Sequence, residues 1–260
     1  MAVTSDPSET MPPSPDAARA HAIVSALAAA LAPAGFDLVA AGRVADYHRA
    51  LAPAAAAFHL EPFPGATEPE ARLIVLVGHS RAVWAPFVAA LRREPWRQAA
   101  ANPLDDWTAE VLAAALAAAL PPGARTETYA YWEPPPRRVA MQALAAALGL
   151  AARGPAALSA HPLHGPWIAF RAAVVVDLAG PLPTDLSDVC ARCIDTPCEP
   201  ALASALAATA TRDRAGVADS WLRWVAVRDA CPIGRASRYS DAQLRYHYTG
   251  DRRAFTMEPT

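Results

Sequence analysis

Lysine is missing altogether: each of the 23 residues counted as Lys or Arg is an arginine. That absence excludes Schiff-base and other lysine-borne covalent chemistry. It also makes every cation a guanidinium, a planar fork that keeps its charge and suits carboxylates. Abundant alanine and 26 prolines fit the same compositional bias, that of GC-rich coding. Cysteine is scarce, with four in 260 residues. That is too few for a disulfide scaffold, and in a reducing compartment they would be thiols or ligands. No apolar run reaches the roughly 18 residues of a membrane span. The alanine-rich stretch 22–34 follows an acidic, proline-rich tail, unlike the basic start of a signal peptide. The chain therefore reads as cytoplasmic, with no membrane partner. An excess of charge is missing too: the formal net charge is −2, which gives no electrostatic footprint for nucleic acid. Neither G-x-G-x-x-G nor G-x-x-x-x-G-K-[ST] occurs, so no dinucleotide or P-loop site is expected.

What is present is globular: 53% hydrophobic and 18% charged residues, in a chain long enough for one large domain or two small ones. Residues 1–15 are rich in Ser, Pro and Asp and predict a disordered tail. Ala20, Ile23, Val24, Leu27 and Leu31 recur at helical spacing. A short helix is expected over 44–51, a buried strand over 73–77 (LIVLV) and a helix over 81–93. Asn102 suits an N-cap and Pro103 a first helical turn, with Asp105 and Asp106 at the positive end of a helix running to Leu120. An aromatic strand follows over 126–132, then a helix over 137–150. Strands are expected over 157–161 and 167–176, joined as a hairpin by the turn His161-Pro-Leu-His-Gly-Pro166. Helices from about Ala203 and Gly216 precede a polar tail. This mixed order favours an α+β sheet covered by helices over a doubly wound parallel sheet.

Several segments carry a family likeness in their order and spacing. They are APAGFDLV (32–39), a helix around Tyr47, FHLEPFPG (58–65), LIVLVGHS (73–80), NPLDDW (102–107), YWEPPPRR (131–138), HPLHGPWIAFRAAVVV (161–176) and VRDACPIGRASRYSDAQLRYHY (227–248). Across residues 20–255 the chain resembles the cobalamin-trafficking chaperones of the cblC type. That resemblance implies a nitroreductase-like sheet covered by helices over 16–178, with a cysteine-containing helical segment, 179–260, packed on the same domain. It implies cobalamin held with its dimethylbenzimidazole tail detached (base-off). The upper axial ligand would leave by glutathione-dependent dealkylation or by flavin- or thiol-dependent reductive decyanation. FMN or FAD, a thiol reductant and a downstream cobalamin enzyme are the implied cofactors and partners. Carried over by position, the cobalamin pocket comprises Leu148, Ala160, His161, Trp167, Phe170 and Arg171. The glutathione arginines are Arg171, Arg228 and Arg253, with Arg252 as a second match to the last.

The residues add their own argument. Arg171 interrupts an apolar strand, and a buried arginine needs an anionic partner, either a ligand or an internal Asp or Glu. Arg228 without the resemblance reads as part of a solvated helix face. Leu148 stands where the family has a histidine, and Gly165-Pro166 replaces its Gly-Gly. His161 and His164 share a turn without further ligands beside them, so a structural hydrogen-bonding role is expected.

Cys190-x-x-Cys193-x4-Cys198 and the distant Cys231-Pro232 resemble a worn ferredoxin motif. They are similar to a remnant of the ferredoxin-like part of epoxyqueuosine reductases, although the chain lacks the cysteines that two clusters need. Three readings stay open: ligands of one [4Fe–4S] cluster, a redox-active Cys190/Cys193 pair, or buried bystanders. For function, a cobalamin dealkylase or cyanocobalamin reductase stands beside a non-catalytic cobalamin carrier and an iron–sulfur reductase related to epoxyqueuosine reductase.

Overall fold

The computed structural model describes residues 15–63, 68–211 and 213–257. The expected tail, apart from Pro15, and the end of the 58–65 loop lie outside the described residues. In chain order the elements are α1 (Pro15–Leu31), β1 (Leu38–Arg43), α2 (Val44–Ala50), β2 (Arg72–His79), α3 (Trp84–Arg93), α4 (Pro103–Ala119), β3 (Thr126–Ala130) and α5 (Met141–Ala147). Then follow β4 (Ala152–Arg153), β5 (Ser159–Ala160), β6 (Ala169–Ala179), α6 (Cys198–Ala208), α7 (Arg214–Asp219), α8 (Trp221–Asp229) and α9 (Asp241–Thr249).

One antiparallel sheet, ordered β1-β2-β6-β3, organises the chain. Its two central strands are covered on both faces, which is why LIVLV and AAVVV read as unbroken apolar runs. Leu73, Val75 and Val77 of β2 join Ala172, Val174 and Val176 of β6 in a core closed by α1, α3 and α4. On the opposite face Ile74, Leu76, Ala173 and Val175 pack with Tyr129 and with Tyr47 and Leu144 of α2 and α5. The fold is thus α+β, a sheet covered by helices, as the element order predicts.

Local readings depart from this in instructive ways. The segment 15–34 is long and apolar enough to cross a membrane by length and composition, although Asp16, Arg19, His21 and Ser25 interrupt its apolar residues. Its Ala20, Ile23, Leu27 and Leu31 are buried, and Ile23, Leu27 and Leu31 join the core beneath α4. β1 was not expected, because LVAAGR lacks a β-branched run; pairing with β2 supplies what propensity does not. The turn 161–166 forms, with His161 and Gly165 exchanging backbone hydrogen bonds at 2.9 and 2.8 Å. Its flanking segments do not pair as a hairpin: β5 bonds β4, and β6 lies between β2 and β3. Asn102 places its carbonyl, not its side chain, at the start of α4. α5 is shorter than 137–150, ending where Gly149 turns to φ +72. α6 starts at Cys198, earlier than expected, and α9 lies inside the supposed polar tail. The polar residues of α9 hide it in the sequence, yet Ala242, Gln243 and Leu244 are buried.

Two glycines fasten the C-terminal segment to the sheet. A Cβ on Gly165 (φ +54) would lie 2.1 Å from the Ile233 carbonyl oxygen, and one on Gly234 (φ +75) 2.1 Å from the His164 backbone. Both positions combine a left-handed backbone with a backbone neighbour that cannot move aside. Gly165→Ala is expected to lower unfolding stability by about 1–3 kcal/mol, read as a reduced urea midpoint with unchanged m-value.

Candidate functional site

The site begins with an irregularity in β6. Val77 pairs with Ala172 and Gly78 with Phe170, so Arg171 has no partner on β2 and forms a β-bulge. The alternation of side chains is reset there. Ala172 faces the α1/α4 core, while Phe170 and Ile168 now pack on the opposite face with Tyr129. Arg171 is re-aimed toward the first turn of α4. Gly78 allows the close approach, since a Cβ there would lie 2.6 Å from the Ala169 carbonyl.

Arg171 is 5% exposed, and its charge is compensated internally. Its Nη1 donates to Asp105 Oδ1 at 3.2 Å and its Nε to His79 Nε2 at 2.9 Å. With Nε2 accepting, His79 donates from Nδ1 to the Ser80 carbonyl at 2.8 Å, so its ring is a neutral tautomer. Burial, and after it the Arg171 charge and His247, hold the His79 pKa well below the ordinary 6.5. His247 of α9 stacks on His79 with centroids 5.9 Å apart and is likewise held low by burial and by Arg171 and Arg228. Asp105 moves the other way: desolvation raises it against the lowering pull of Arg171. The Tyr131 ring lies over the Arg171 guanidinium at 5.4 Å.

Around this network runs a groove in adjoining compartments. One, about 310 Å³, is bordered by Ser159, Ile168, Phe170, Arg171, Arg228 and His247. It shares Tyr131, Gln142 and Phe170 with a more apolar compartment of about 440 Å³ that includes Val139, Met141 and Arg153. It shares Tyr131, Arg171 and His247 with a polar one of about 200 Å³ that includes Asp105, Arg214 and Arg252. Ser159 Oγ is buried with no hydrogen-bond partner among the described residues, and it borders the groove. Orphaned buried hydroxyls are rare unless something satisfies them. The groove thus combines apolar walls, Ile168, Phe170 and Met141, with amide and guanidinium groups from Gln142, Arg171 and Arg228. A larger cavity of about 640 Å³ between α4 and β3 has no titratable side chain among its lining residues, so chemistry is sought at the groove.

The residues singled out in the sequence are dispersed. Phe170, Arg171 and Arg228 meet at the groove. Arg228 also donates from Nε to Tyr248 Oη at 3.0 Å and from Nη1 to the Pro166 carbonyl. Trp167 is buried beneath it, its ring 5.9 Å from the Arg228 guanidinium. Ala160 is buried in β5. His161 accepts from the Leu163 and His164 backbone N–H groups at 3.1 and 3.2 Å. Burial and then His164 lower its pKa to about 4, as for a ring that organises its turn. Leu148 lies in the α2/α5 core against Gly42, away from the groove. Arg253 is 85% exposed and forks onto Asp251. Its neighbour Arg252 is the one that reaches the groove, donating to the carbonyls of Gln98 and Ala100 at 2.5 and 2.6 Å. Sequence reasoning passed over His79, Asp105, Tyr131, Gln142, Arg214 and His247. The legible signal was a histidine closing the apolar run LIVLVGH and an acidic pair opening α4.

No protein-family model matches the chain, and no curated protein matches it. Among solved structures it is similar to a B12-trafficking protein CblC of C. elegans, at 15% identity and a TM-score of 0.65. That match covers 92% of this chain and 96% of the other. It also matches an epoxyqueuosine reductase of Bacillus subtilis at 14% identity and a TM-score of 0.45, covering 83% of this chain and 66% of that one. What the likeness to the CblC structure shows is the fold: an α+β sheet covered by helices.

The imidazoles of His79 and His247 give a pH signature. Unfolded histidines take up protons as pH falls below about 6.5, whereas His79 and His247 in the folded chain do not. Their contribution to stability is complete above that pH and is lost on acidification toward their lowered folded values. Each accounts for a slope of up to about 1.4 kcal/mol per pH unit. The urea midpoint is expected to fall between pH 7.5 and 5, and His247→Gln to flatten that fall.

Proposed function

We propose that the groove binds a cobalamin in its base-off form and that the protein removes the upper axial ligand with a small anionic thiol such as glutathione. The observation that carries this reading is the meeting of Arg171, from the bulge, with Arg228, from α8, at the rim of an apolar slot. The fold likeness to a B12-trafficking protein supports a corrinoid as the occupant. Guanidinium forks from two elements suit a ligand bearing carboxylates. The corrinoid, when bound, supplies the cobalt–carbon bond. The chain's residues do the rest: Phe170, Ile168 and Met141 exclude water, Gln142 and Ser159 offer donors to amide oxygens, and the arginines hold the thiol co-substrate close to its target. In dealkylation the thiolate sulfur bonds the departing carbon, and the electron pair of the broken bond stays with cobalt. A flavin- or thiol-dependent decyanation would use the same slot.

Both arginines already have internal partners, and this favours a second reading, a carrier that binds cobalamin without turnover. Methylcobalamin added to the protein is expected to shift to its base-off spectrum. Anaerobic glutathione should then remove the methyl–cobalt bands, whereas a carrier would show the first change alone. With Arg228→Ala, kcat/KM for the thiol is expected to fall about 10–100-fold, the loss of one charge-assisted hydrogen bond, with the base-off shift retained. A full-rate variant would remove Arg228 from the thiol site, and no spectral shift would remove cobalamin.

A further inference from the structure

Cys190, Cys193, Cys198 and Cys231 are free, and no metal-holding group is present among the described residues. A buried group without a partner lies instead at the groove. Ser159 is 6% exposed, and its Oγ has no hydrogen-bond partner among the described residues. An unpaired buried hydroxyl costs stability, so its survival in a folded chain asks for a reason. The backbone that carries it is held firmly. Ser159 pairs with Arg153 across the β4–β5 hairpin. The Gly154 N–H closes the connecting turn by donating to the Leu158 carbonyl at 2.8 Å. Within that turn Ala157 takes φ +56, a left-handed conformation uncommon for a residue with a side chain. Gln142 of α5 fixes it there, with Nε2 donating to the Ala157 carbonyl at 2.8 Å. On the other side Ala156 clusters with Ala205 of α6 and Val227 of α8, and Leu158 packs against them. The hairpin is thus preorganised, and Ser159 and Gln142 border the same compartment of the groove.

We propose that Ser159 and Gln142 form a subsite that reads a primary carboxamide of the bound ligand and discriminates against the corresponding carboxylate. The inference rests on the cobalamin reading and names the group of the corrinoid that is recognised. The chemistry is complementary. A carboxamide carbonyl accepts from the Ser159 hydroxyl, and its N–H donates to Gln142 Oε1, which has no partner among the described residues. A carboxylate offers acceptors alone. It would face the Gln142 oxygen without a proton to share, and its charge would be buried against one neutral hydroxyl. The guanidinium groups of the compartment stand on other elements, Arg171 on β6 and Arg228 on α8, where they take the carboxylates of the thiol. The compartment therefore sorts ligand groups by charge, with amides on the β5 side.

The test is spectral titration of the full chain with methylcobalamin, and with methylcobalamin in which one peripheral amide has been hydrolysed to the acid, isomer by isomer. The unaltered chain is expected to bind at least one acid isomer about tenfold more weakly than the amide parent. Ser159→Ala should weaken binding of the parent about 3–10-fold, the loss of one neutral hydrogen bond, and should narrow the gap for that same isomer. The KM for glutathione should not move. The urea midpoint of the ligand-free variant should stay level or rise, because an unpaired hydroxyl has been removed. A hydroxyl with a purely structural role behaves the other way: a lower midpoint with unchanged affinity for the parent would overturn the inference. Equal binding of every acid isomer by the unaltered chain would overturn it too, without recourse to a variant. A chain that binds none of these corrinoids would overturn the cobalamin reading itself, whereas binding that Ser159→Ala leaves unchanged would overturn this inference alone.

Discussion

The arrangement rests on one irregular residue, Arg171, set near the start of the central strand β6 by a β-bulge. A guanidinium at 5% exposure is tolerated only where fixed partners replace water. Here a neutral imidazole, His79, accepts from Nε, and the Asp105 carboxylate at the start of α4 accepts from Nη1. Each partner depends on a different element, so the network ties the end of β2, the first turn of α4 and the bulge of β6 into one corner. Because the bulge also resets the alternation of β6, the residues before it, Ile168 and Phe170, turn to the other face. The groove is a consequence of that reset: polar on the Asp105 side, apolar on the Phe170 side.

The C-terminal segment completes the corner. α9 brings His247 over His79, α8 brings Arg228 over Trp167, and the chain past α9 returns Phe255 to the core beside Phe87. This is why residues beyond 178 are not an appendage: they supply a wall of the groove and part of the core. The backbone contact between Gly165 and Gly234 holds the two halves in register.

Much of the fold was legible. The central strands announced themselves because burial on both faces demands continuous apolar residues, and α1 and α4 because their buried residues recur at helical spacing. β1 and α9 were not legible, since their conformations come from pairing and packing rather than from propensity. The hairpin expected around 161–166 shows the limit of turn reasoning: the turn forms, yet each flanking strand finds a better partner elsewhere. At the site, Arg171 could be singled out as a charge inside an apolar run. Its partners could not, being 92 and 66 positions away in sequence. Leu148 and Arg253 shared a motif neighbourhood with the site without sharing its space.

By itself the sequence determined the chemistry available: guanidinium groups as the cations, four thiols as the soft donors, no lysine nucleophile, and an α+β order of buried strands and amphipathic helices. Composition and periodicity are local properties, and the chain carries them wherever it goes. Tertiary structure decided which of those groups meet. It chose Arg252 over Arg253 for the groove and moved Leu148 into the core. It also gave Arg171 an imidazole as well as a carboxylate. Those outcomes follow from a bulge, a few left-handed glycines and long-range strand pairing, which no local pattern encodes.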